Sequence, residues 1–292
     1  MFEAYHTLVN EPMSLHTTLK LGGPADYLVF PRSGEEIAAL YAEAGAAGLP
    51  VTVIGHGSNL LVLDGGIRGL VICIGRNMKQ VTRTGNILRA QAGAMLGSVA
   101  LEAADAGLSG LEFASGIPGT VGGGVTMNAG AYGGEMAQVV TRVDGLRPDG
   151  RRVSLSREEM DFGYRHSVIG TEKIIVTEVT FELRPGDPAE IRAAMSELNA
   201  KRAEKQPLDL PSAGSAFKRP EGYYASALID QCGLKGYSVG GARVSEKHAG
   251  FLVNTGTSSR DFLDLMKKIQ SIVEERVGIR LEPEIRIIGV EE

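Results

Sequence analysis

The sequence contains an unusually glycine-rich run, Ser115-Gly116-Ile117-Pro118-Gly119-Thr120-Val121-Gly122-Gly123-Gly124, and Asn128-Ala129-Gly130-Ala131-Tyr132-Gly133 follows it closely. A glycine inside a helix or strand costs roughly 0.5–1 kcal/mol relative to alanine, so this density argues against long regular elements here. A large flat ligand lying against bare backbone explains the composition, and a tight crossing of backbone segments is the structural alternative. The whole chain has 39 glycines in 292 residues, against an average usage of roughly 7%.

A shorter glycine loop, Gly55-His56-Gly57-Ser58-Asn59, joins two apolar segments predicted to be strands, Val51 to Ile54 and Leu60 to Leu63. Successive backbone N–H groups in such a loop can hold a pyrophosphate, and its serine and asparagine add side-chain donors. The loop is not a Rossmann fingerprint, because Leu60 replaces the third glycine and a strand follows where a helix should. A purely structural turn is the alternative interpretation.

Outward from these loops, the first half of the chain alternates strands and helices, and the second half forms an α+β lobe. Asp187 as cap and Pro188 at the first helical position begin that lobe. The predicted helices start at Ser33, Leu96, Pro188 and Ala225, with a last amphipathic one that ends at Gly278. Further strands are predicted at 26–30, 70–74, 87–92, 139–146, 152–155, 173–183, 213–217, 250–254 and 281–288. The predicted fold class is therefore α+β.

Composition excludes several classes of protein. A net charge of −5 gives no electrostatic reason to expect nucleic acid or an anionic membrane as partner. No apolar run approaches the roughly 20 residues of a membrane span, and the residues from Met1-Phe2-Glu3 onward show neither a basic flank nor an apolar stretch, so we expect neither a membrane span nor a signal peptide. Cys73 and Cys232 are far apart and are interpreted as buried thiols of a reducing cytosol. The five histidines show no metal-ligand spacing, so no metal is predicted. We expect a cytoplasmic protein.

Six motifs carry a family resemblance, and they occur in the family's order over nearly the whole chain. The residues Gly55 to Val62 and Gly110 to Gly123 resemble the two FAD-binding signatures of the UDP-N-acetylenolpyruvoylglucosamine reductases. The other motifs are similar to later segments of the same family: Met127 to Gly133, Tyr164-Arg165-His166-Ser167, Gly214-Ser215-Ala216-Phe217-Lys218 and Leu281-Glu282-Pro283-Glu284-Ile285. The segment between Tyr164 and Ser215 is too short for an extra substrate-binding loop, so the chain resembles the compact subtype of the family.

The resemblance implies fold, cofactors and substrate together. It implies the FAD-binding fold of vanillyl-alcohol oxidase, with two α+β subdomains split near residues 66–70 in an FAD-binding domain of residues 1–186. Residues 187–292 would form a substrate-binding domain. NADPH would be the reductant, FAD would be bound noncovalently, and the substrate would be UDP-N-acetylglucosamine enolpyruvate, reduced to UDP-N-acetylmuramate for peptidoglycan. The expected state is a monomer or weak dimer.

The resemblance also assigns catalytic residues. Hydride delivered to the terminal carbon of the enolpyruvyl group builds negative charge on the adjacent carbon and its carboxylate, and Arg165 matches the family residue that stabilises it. Without the motif, this arginine would be interpreted as part of a surface ion pair. Ser215 matches the proton donor to carbon, a weak acid that needs a cation nearby. Glu284, on the last predicted strand, matches the catalytic glutamate, with an exposed strand face as the alternative.

Further residues are matched to binding roles. Tyr164, Lys205 and Lys218 are predicted to bind substrate, and either lysine, or Glu284, is a candidate to assist Ser215. His56 is interpreted as a loop contact, with covalent flavin attachment as the alternative. The residues predicted to bind the cofactor are Gly55, His56, Gly57, Ser58, Asn59, Ser115, Pro118, Gly119, Gly122, Gly123, Asn128 and Gly130.

Two rival functions stay open at the level of sequence. Another flavoenzyme of the same fold, such as a hydroxylase subunit or a sugar-lactone oxidase, would keep the glycine loops but has no use for the Tyr164-Arg165 and Ser215 motifs. A noncatalytic nucleotide-sugar binding protein does not require a serine, an arginine and a glutamate drawn from three distant segments.

Overall fold

The computed structural model describes residues 1–291, in which helices and strands alternate irregularly. The α-helices are α1 Gly34–Ala46, α2 Leu96–Asp105, α3 Val121–Thr126, α4 Val168–Glu172, α5 Pro188–Lys205, α6 Ala225–Gln231 and α7 Ser259–Val277. The strands are β1 Thr7–Pro12, β2 Pro24–Val29, β3 Val51–Ile54, β4 Leu60–Val62, β5 Ile67–Cys73, β6 Val81–Thr84, β7 Ile87–Gln91, β8 Leu108–Ser109, β9 Gly130–Ala131, β10 Gly134–Glu135, β11 Val140–Leu146, β12 Arg152–Ser156, β13 Ile175–Glu182, β14 Arg184–Pro185, β15 Ser212–Ser215, β16 Ser238–Val239, β17 Ala242–Val244, β18 Phe251–Asn254 and β19 Arg286–Ile288. The α+β class is confirmed.

The chain divides into two compact units, each built from several segments. The first contains Met1–Leu8, Leu28–His56 and Gly69–Arg202, and the second contains Val9–Tyr27, Gly57–Arg68 and Ala203–Glu292. The functional domains at residues 1–186 and 187–292 stay a prediction.

An antiparallel sheet forms the centre of the first unit. Its strand order is β12-β11-β13-β7-β6. Val143 pairs with Val179, which in turn pairs with Ala90, and all three side chains are at most 1% exposed. The short helix α3 packs against β13 and β7. Because α3 carries part of the second glycine motif in chain order, residues 115–124, this sheet fixes the position of that motif.

Two helices of this unit begin where the sequence predicts. The Ser33 hydroxyl accepts a hydrogen bond from the backbone N–H of Glu36 at 3.3 Å, which caps α1. The Glu36 carboxylate accepts from the Arg32 N–H at 2.8 Å, one residue earlier than in a standard capping box. Asp187 Oδ1 accepts from the Ala189 N–H at 2.7 Å and so starts α5.

The second unit has a four-stranded antiparallel sheet of order β15-β18-β17-β16. The apolar face of α7 is buried, with Phe262, Leu265 and Ile269 fully inaccessible, and the helix ends at Gly278 with a left-handed φ of 72°. A separate parallel pair joins β4 and β19, with Leu61 opposite Ile287.

The glycine-rich region contains the short helix α3, which has six residues, because the Thr120 cap and packing against the sheet offset the glycine cost. Two local predictions are wrong. The segment predicted as a strand from Lys173 begins with the end of α4, where Lys173 has a left-handed φ of 53°. The last strand is Arg286–Ile288 and not 281–288, because residues 282–284 pair with residues 216–218 and not with β4.

Candidate active site

Glycine loops meet at Thr120 within the first unit. Thr120 is 2% exposed and precedes α3, where its Oγ1 accepts a hydrogen bond from the Gly123 N–H at 3.3 Å. A Cβ placed on Gly55 would lie 2.4 Å from Thr120 Oγ1, and one on Gly75 would lie 3.6 Å from Thr120 Cγ2. The loops after β3 and β5 therefore lie beside the second glycine motif.

The glycines of α3 lie in two different kinds of surroundings. A Cβ on Gly122 would lie 3.0 Å from Ala92 Cβ, and one on Gly124 would lie 2.9 Å from Leu96 Cδ1, so both allow close packing. Gly123 differs, because it is exposed and the nearest atom to its Cβ position is Thr120 Oγ1 at 3.5 Å. Tight packing and a backbone face open to a ligand thus occur in the same motif.

The other cofactor candidates of the first unit lie in this motif or close to it in the chain. Ser115 Oγ donates to the Glu112 carbonyl at 2.9 Å and lies 3.3 Å from Asn199 Oδ1 of α5. Pro118 and His56 are exposed, and Gly119 is half-buried. Gly130 pairs with Glu135 in the small β9–β10 hairpin.

Tyr164 and Arg165 form the tip of a tight turn in the same unit. Gly163 and His166 exchange backbone hydrogen bonds of 3.1 and 3.2 Å across the turn. Arg165 is half-buried, has a φ of 55°, and its Cζ lies 5.1 Å from the centre of the exposed Tyr164 ring. The arginine is thus presented on a short, fixed turn.

Asn128 holds this turn. Its side chain is 1% exposed, its Nδ2 donates to the Gly163 carbonyl at 3.1 Å, and its Oδ1 accepts from the Ala137 N–H at 2.9 Å. Asn128 was predicted to bind the cofactor, but both the nitrogen and the oxygen of its side-chain amide form hydrogen bonds with the protein backbone.

In the second unit, Ser215 and Glu284 lie on neighbouring segments. The Glu284 N–H donates to the Ala216 carbonyl at 2.8 Å, and the Ala216 N–H donates to the Gly250 carbonyl at 2.9 Å. Ser215 itself pairs with Phe251. Both Ser215 and Glu284 are half-buried. Two predicted catalytic residues, far apart in sequence, are therefore brought together.

The glycine loop of residues 55–59 places Asn59 beside Glu284. Asn59 Nδ2 donates to the Glu284 carbonyl at 3.2 Å, and the Asn59 carbonyl accepts from the Arg286 N–H at 3.0 Å. Gly57 has a φ of 70°, and a Cβ there would lie 2.2 Å from the His16 carbonyl, so only glycine fits. Ser58 between them is half-buried.

The two lysines predicted to bind substrate differ in their surroundings. The Lys218 N–H donates to the Glu282 carbonyl at 2.8 Å, and its Nζ lies 3.4 Å from Glu282 Oε2. Lys205 is exposed at the end of α5. The side chain that pairs with Lys218 is thus Glu282, which is 73% exposed.

His248 lies beside the Ser215 strand and was not predicted as a site residue. Its Nδ1 accepts from the Gly250 N–H at 3.2 Å, and its ring meets the Phe251 ring edge-on at 4.9 Å. Burial lowers the pKa of His248, and the positive charges of Lys235 and Lys205 lower it further. The imidazole is therefore neutral at neutral pH, with its proton on Nε2.

Thr120 and Ser167 also shape the site and were not predicted. Ser167 is 1% exposed and its Oγ donates to the Thr126 carbonyl at 2.9 Å. Both residues stand inside motifs quoted above, next to predicted site residues. The available signal was their small hydroxyl side chains beside glycine or arginine.

Two kinds of structural feature are absent from residues 1–291. In that range no helix is long and apolar enough to cross a membrane. Nor do three or more histidine, cysteine, aspartate or glutamate side chains cluster there in a way that would hold a metal ion.

Two family models match the chain. Residues 25–156 match the FAD binding domain, and residues 206–288 match the C-terminal domain of UDP-N-acetylenolpyruvoylglucosamine reductase. The first match covers Thr120 and both glycine motifs, and the second covers Ser215 and Glu284.

Curated relatives and a solved structure are similar over nearly the whole chain. The UDP-N-acetylenolpyruvoylglucosamine reductase of Lactiplantibacillus plantarum is 51% identical over 99% of this chain and 95% of its own length. That of Agathobacter rectalis is 52% identical over 97% of this chain and 94% of its own. The crystal structure of UDP-N-acetylenolpyruvylglucosamine reductase from Thermus caldophilus superposes with a TM-score of 0.83 at 37% identity, covering 97% of this chain and 98% of that one.

Proposed function

Since this chain belongs to the UDP-N-acetylenolpyruvoylglucosamine reductase family of FAD-dependent oxidoreductases, we propose that it reduces UDP-N-acetylglucosamine enolpyruvate to UDP-N-acetylmuramate with NADPH, for peptidoglycan synthesis. The observation that carries the proposal is the hydrogen bond from the Glu284 N–H to the Ala216 carbonyl, which holds two candidate catalytic residues on adjacent segments. A protein that only binds a nucleotide sugar has no need of that pairing.

The residues present fit FAD. Gly123 offers an exposed backbone face with space above it, beside the buried Thr120 cap and the Gly55 loop. We propose that the glycine motifs of residues 55–59 and 115–130 hold the cofactor, with His56 as a noncovalent contact. Bound FAD would supply the redox chemistry, taking two electrons from NADPH and passing them to the carbon–carbon double bond of the substrate.

Arg165 is proposed to stabilise the negative charge that develops on the substrate. Reduction of the enolpyruvyl double bond leaves charge on the carbon next to the carboxylate, so fixed donors lower the barrier most when they are already in place. The guanidinium of Arg165 is planar and suits a carboxylate. Its half-buried position on a rigid turn supports this role, and Tyr164 beside it is proposed to contact the substrate.

Ser215 is proposed to donate the proton to carbon. A serine hydroxyl is a weak acid, so it needs a fixed position and a partner that restores its proton. Pairing with Phe251 fixes the Ser215 backbone. Glu284 on the adjacent segment is the proposed partner, either directly or through water, and Lys218 and Lys205 are proposed to bind the anionic substrate.

Two further parts of the proposal concern location and assembly. Cys73 and Cys232 are both free thiols in buried positions, as expected in a reducing compartment, which supports the cytoplasm. The net charge of −5 gives no electrostatic attraction for nucleic acid or an anionic membrane, so we propose neither as partner, and the small anionic substrate would be held by local cations. We propose a monomer or weak dimer.

Turnover by the purified protein tests the function. With NADPH and UDP-N-acetylglucosamine enolpyruvate, we expect NADPH consumption that depends on the substrate, and a product heavier by two hydrogen atoms in mass spectrometry. NADPH consumption with the substrate unchanged would indicate another flavoenzyme of this fold. Binding of the nucleotide sugar without any NADPH consumption would indicate a noncatalytic binding protein.

A further inference from the structure

The turn that carries Arg165 has an uncommon backbone conformation. Arg165 lies in the left-handed region, with a φ of 55°. Residues other than glycine adopt this region rarely, and most often when the surrounding structure imposes it. The two backbone hydrogen bonds between Gly163 and His166 close the turn but leave its orientation on the unit open. Something outside the turn must fix the direction in which Arg165 points.

Asn128 supplies the first anchor. The Gly163 carbonyl accepts two hydrogen bonds, one from the His166 N–H at 3.2 Å and one from Asn128 Nδ2 at 3.1 Å. Two donors on one oxygen fix the plane of the peptide that leads into Tyr164. The other end of the Asn128 amide is held by the Ala137 N–H. With 1% of its surface exposed, the side chain has no room to turn away.

Ser167 supplies the second anchor, on the other side of the turn. Its hydroxyl donates to the Thr126 carbonyl at 2.9 Å. Thr126 is the last residue of α3, and its own hydroxyl donates to the Gly122 carbonyl one turn earlier. The two ends of the turn are thus attached to residues 126 and 128, directly at the end of α3.

We propose that Asn128 and Ser167 are positioning residues, which together hold Arg165 in its left-handed conformation for charge stabilisation. This inference rests on the role proposed above for Arg165. It changes the role predicted for Asn128, whose amide serves the arginine turn and not the cofactor. It also links the glycine motif to the arginine, because the same short helix carries both.

Asn128→Asp separates the two roles of this side chain. Aspartate tolerates a left-handed backbone such as the φ of 41° found here, and it still offers an oxygen to the Ala137 N–H. An ionised aspartate cannot donate to the Gly163 carbonyl, and its charge repels that oxygen, whereas a protonated one would donate again. The ionised form therefore replaces the link to the arginine turn by a repulsion and keeps the contact with Ala137.

Rapid-mixing absorbance at the oxidised flavin band measures the effect. We expect NADPH to bleach Asn128→Asp at close to the wild-type rate, with an FAD dissociation constant within about threefold of wild type. Reoxidation by the enolpyruvyl substrate should slow by about 10²-fold, as for a misplaced catalytic group. Ser167→Ala should show the same pattern, more weakly. Thr177→Val is the matched control for Ser167→Ala, because it too deletes a hydroxyl that donates to a backbone carbonyl, here that of Asp144, and it should reoxidise normally.

A double-variant comparison shows whether the effect passes through Arg165. Added to Arg165→Ala, Asn128→Asp should slow reoxidation no further, whereas a general loss of structure would slow it again. Normal reoxidation in both Asn128→Asp and Ser167→Ala would overturn the proposal, as would weakened FAD binding with normal reoxidation. If Arg165→Ala itself reoxidises at the wild-type rate, the role of Arg165 is wrong, and that result is distinct from the failure of the anchors. Should Asn128→Asp not fold, Ser167→Ala alone decides between these outcomes.

Discussion

The backbone N–H of Glu284 donates a 2.8 Å hydrogen bond to the carbonyl of Ala216, the residue that follows Ser215. An antiparallel bridge between Phe217 and Pro283 continues the pairing, and the Lys218 N–H bonds to the Glu282 carbonyl beyond it. The end of the chain is therefore attached to the loop after β15 at several points. Any relay between the two candidate catalytic side chains depends on this attachment.

Ser215→Ala tests the proton donor. Flavin reduction by NADPH involves no substrate carbon, so bleaching should be normal, while reoxidation by substrate should slow by about 10²–10⁴-fold, the usual value of general acid assistance. Ser215→Cys keeps a donor in nearly the same place and should recover part of the rate. Ser212→Ala, at the other end of β15, is the matched control. Slow bleaching with normal reoxidation would instead make Ser215 a nicotinamide-binding residue.

Glu284→Gln and Glu282→Gln form a matched pair that tests the choice of glutamate. Glu284 is half-buried next to the Ser215 segment, whereas Glu282 is mostly exposed and pairs with Lys218. We expect Glu284→Gln to slow reoxidation by at least about tenfold, in the lower part of the range for acid–base assistance. Glu282→Gln should change it less than about threefold, since exposed ion pairs contribute little. Equal effects of the two substitutions would contradict the assignment.

Elements with a clear apolar period were predictable from the sequence, and those fixed by tertiary pairing were not. The amphipathic period of residues 259–277 predicts the helix α7, and Gly278 predicts where it ends. The alternation from Leu281 to Ile288 predicts a longer strand than the three residues that pair with β4. Residues 282–284 pair instead with residues 216–218, and only the fold shows where one partner replaces the other.

The candidate site shows the same division. The glycine motifs are visible in the sequence because glycine is unusual inside regular elements, and the Tyr164-Arg165 pair is visible only through the family resemblance. The partner of the Asn128 amide is not, because Gly163 is 35 residues away in the chain. A buried asparagine beside glycines predicts a ligand contact equally well, and only the fold shows that the Gly163 carbonyl takes the hydrogen bond.

The state of FAD is tested by the colour of the purified protein and by its release. We expect a yellow protein that loses free FAD on treatment with acid or heat, because the family resemblance implies noncovalent binding. We expect His56→Ala to retain FAD but to bind it more weakly, and the FAD dissociation constant measures this change. Flavin retained on the denatured chain, and lost from it in His56→Ala, would show a covalent link at His56. A colourless protein that takes up no added FAD would contradict the enzyme assignment.

Asp64 provides a stability test that is independent of the reaction. Its carboxylate accepts from the Ser259 N–H and the Ser258 hydroxyl, both at 2.7 Å, at the start of α7. Burial raises the pKa of Asp64, but these hydrogen bonds outweigh it and hold the pKa below the usual 3.8.

A carboxyl whose pKa is lower in the folded state stabilises the protein fully above the unfolded value, and this stability is lost as pH falls through the folded pKa. We therefore expect Asp64→Asn to lower the free energy of unfolding at pH 7 by about 0.5–2 kcal/mol, the usual value of a helix cap. The difference from wild type should shrink as pH falls below 3.8, because the wild-type carboxyl becomes protonated and neutral. Denaturant titrations of FAD-free protein across this pH range give both values. Asp264→Asn is the control, since Asp264 forms an exposed pair with Arg260 on the same helix and should change stability by less than about 0.5 kcal/mol. A pH-independent difference between Asp64→Asn and wild type would show that the charge of Asp64 contributes nothing to the cap.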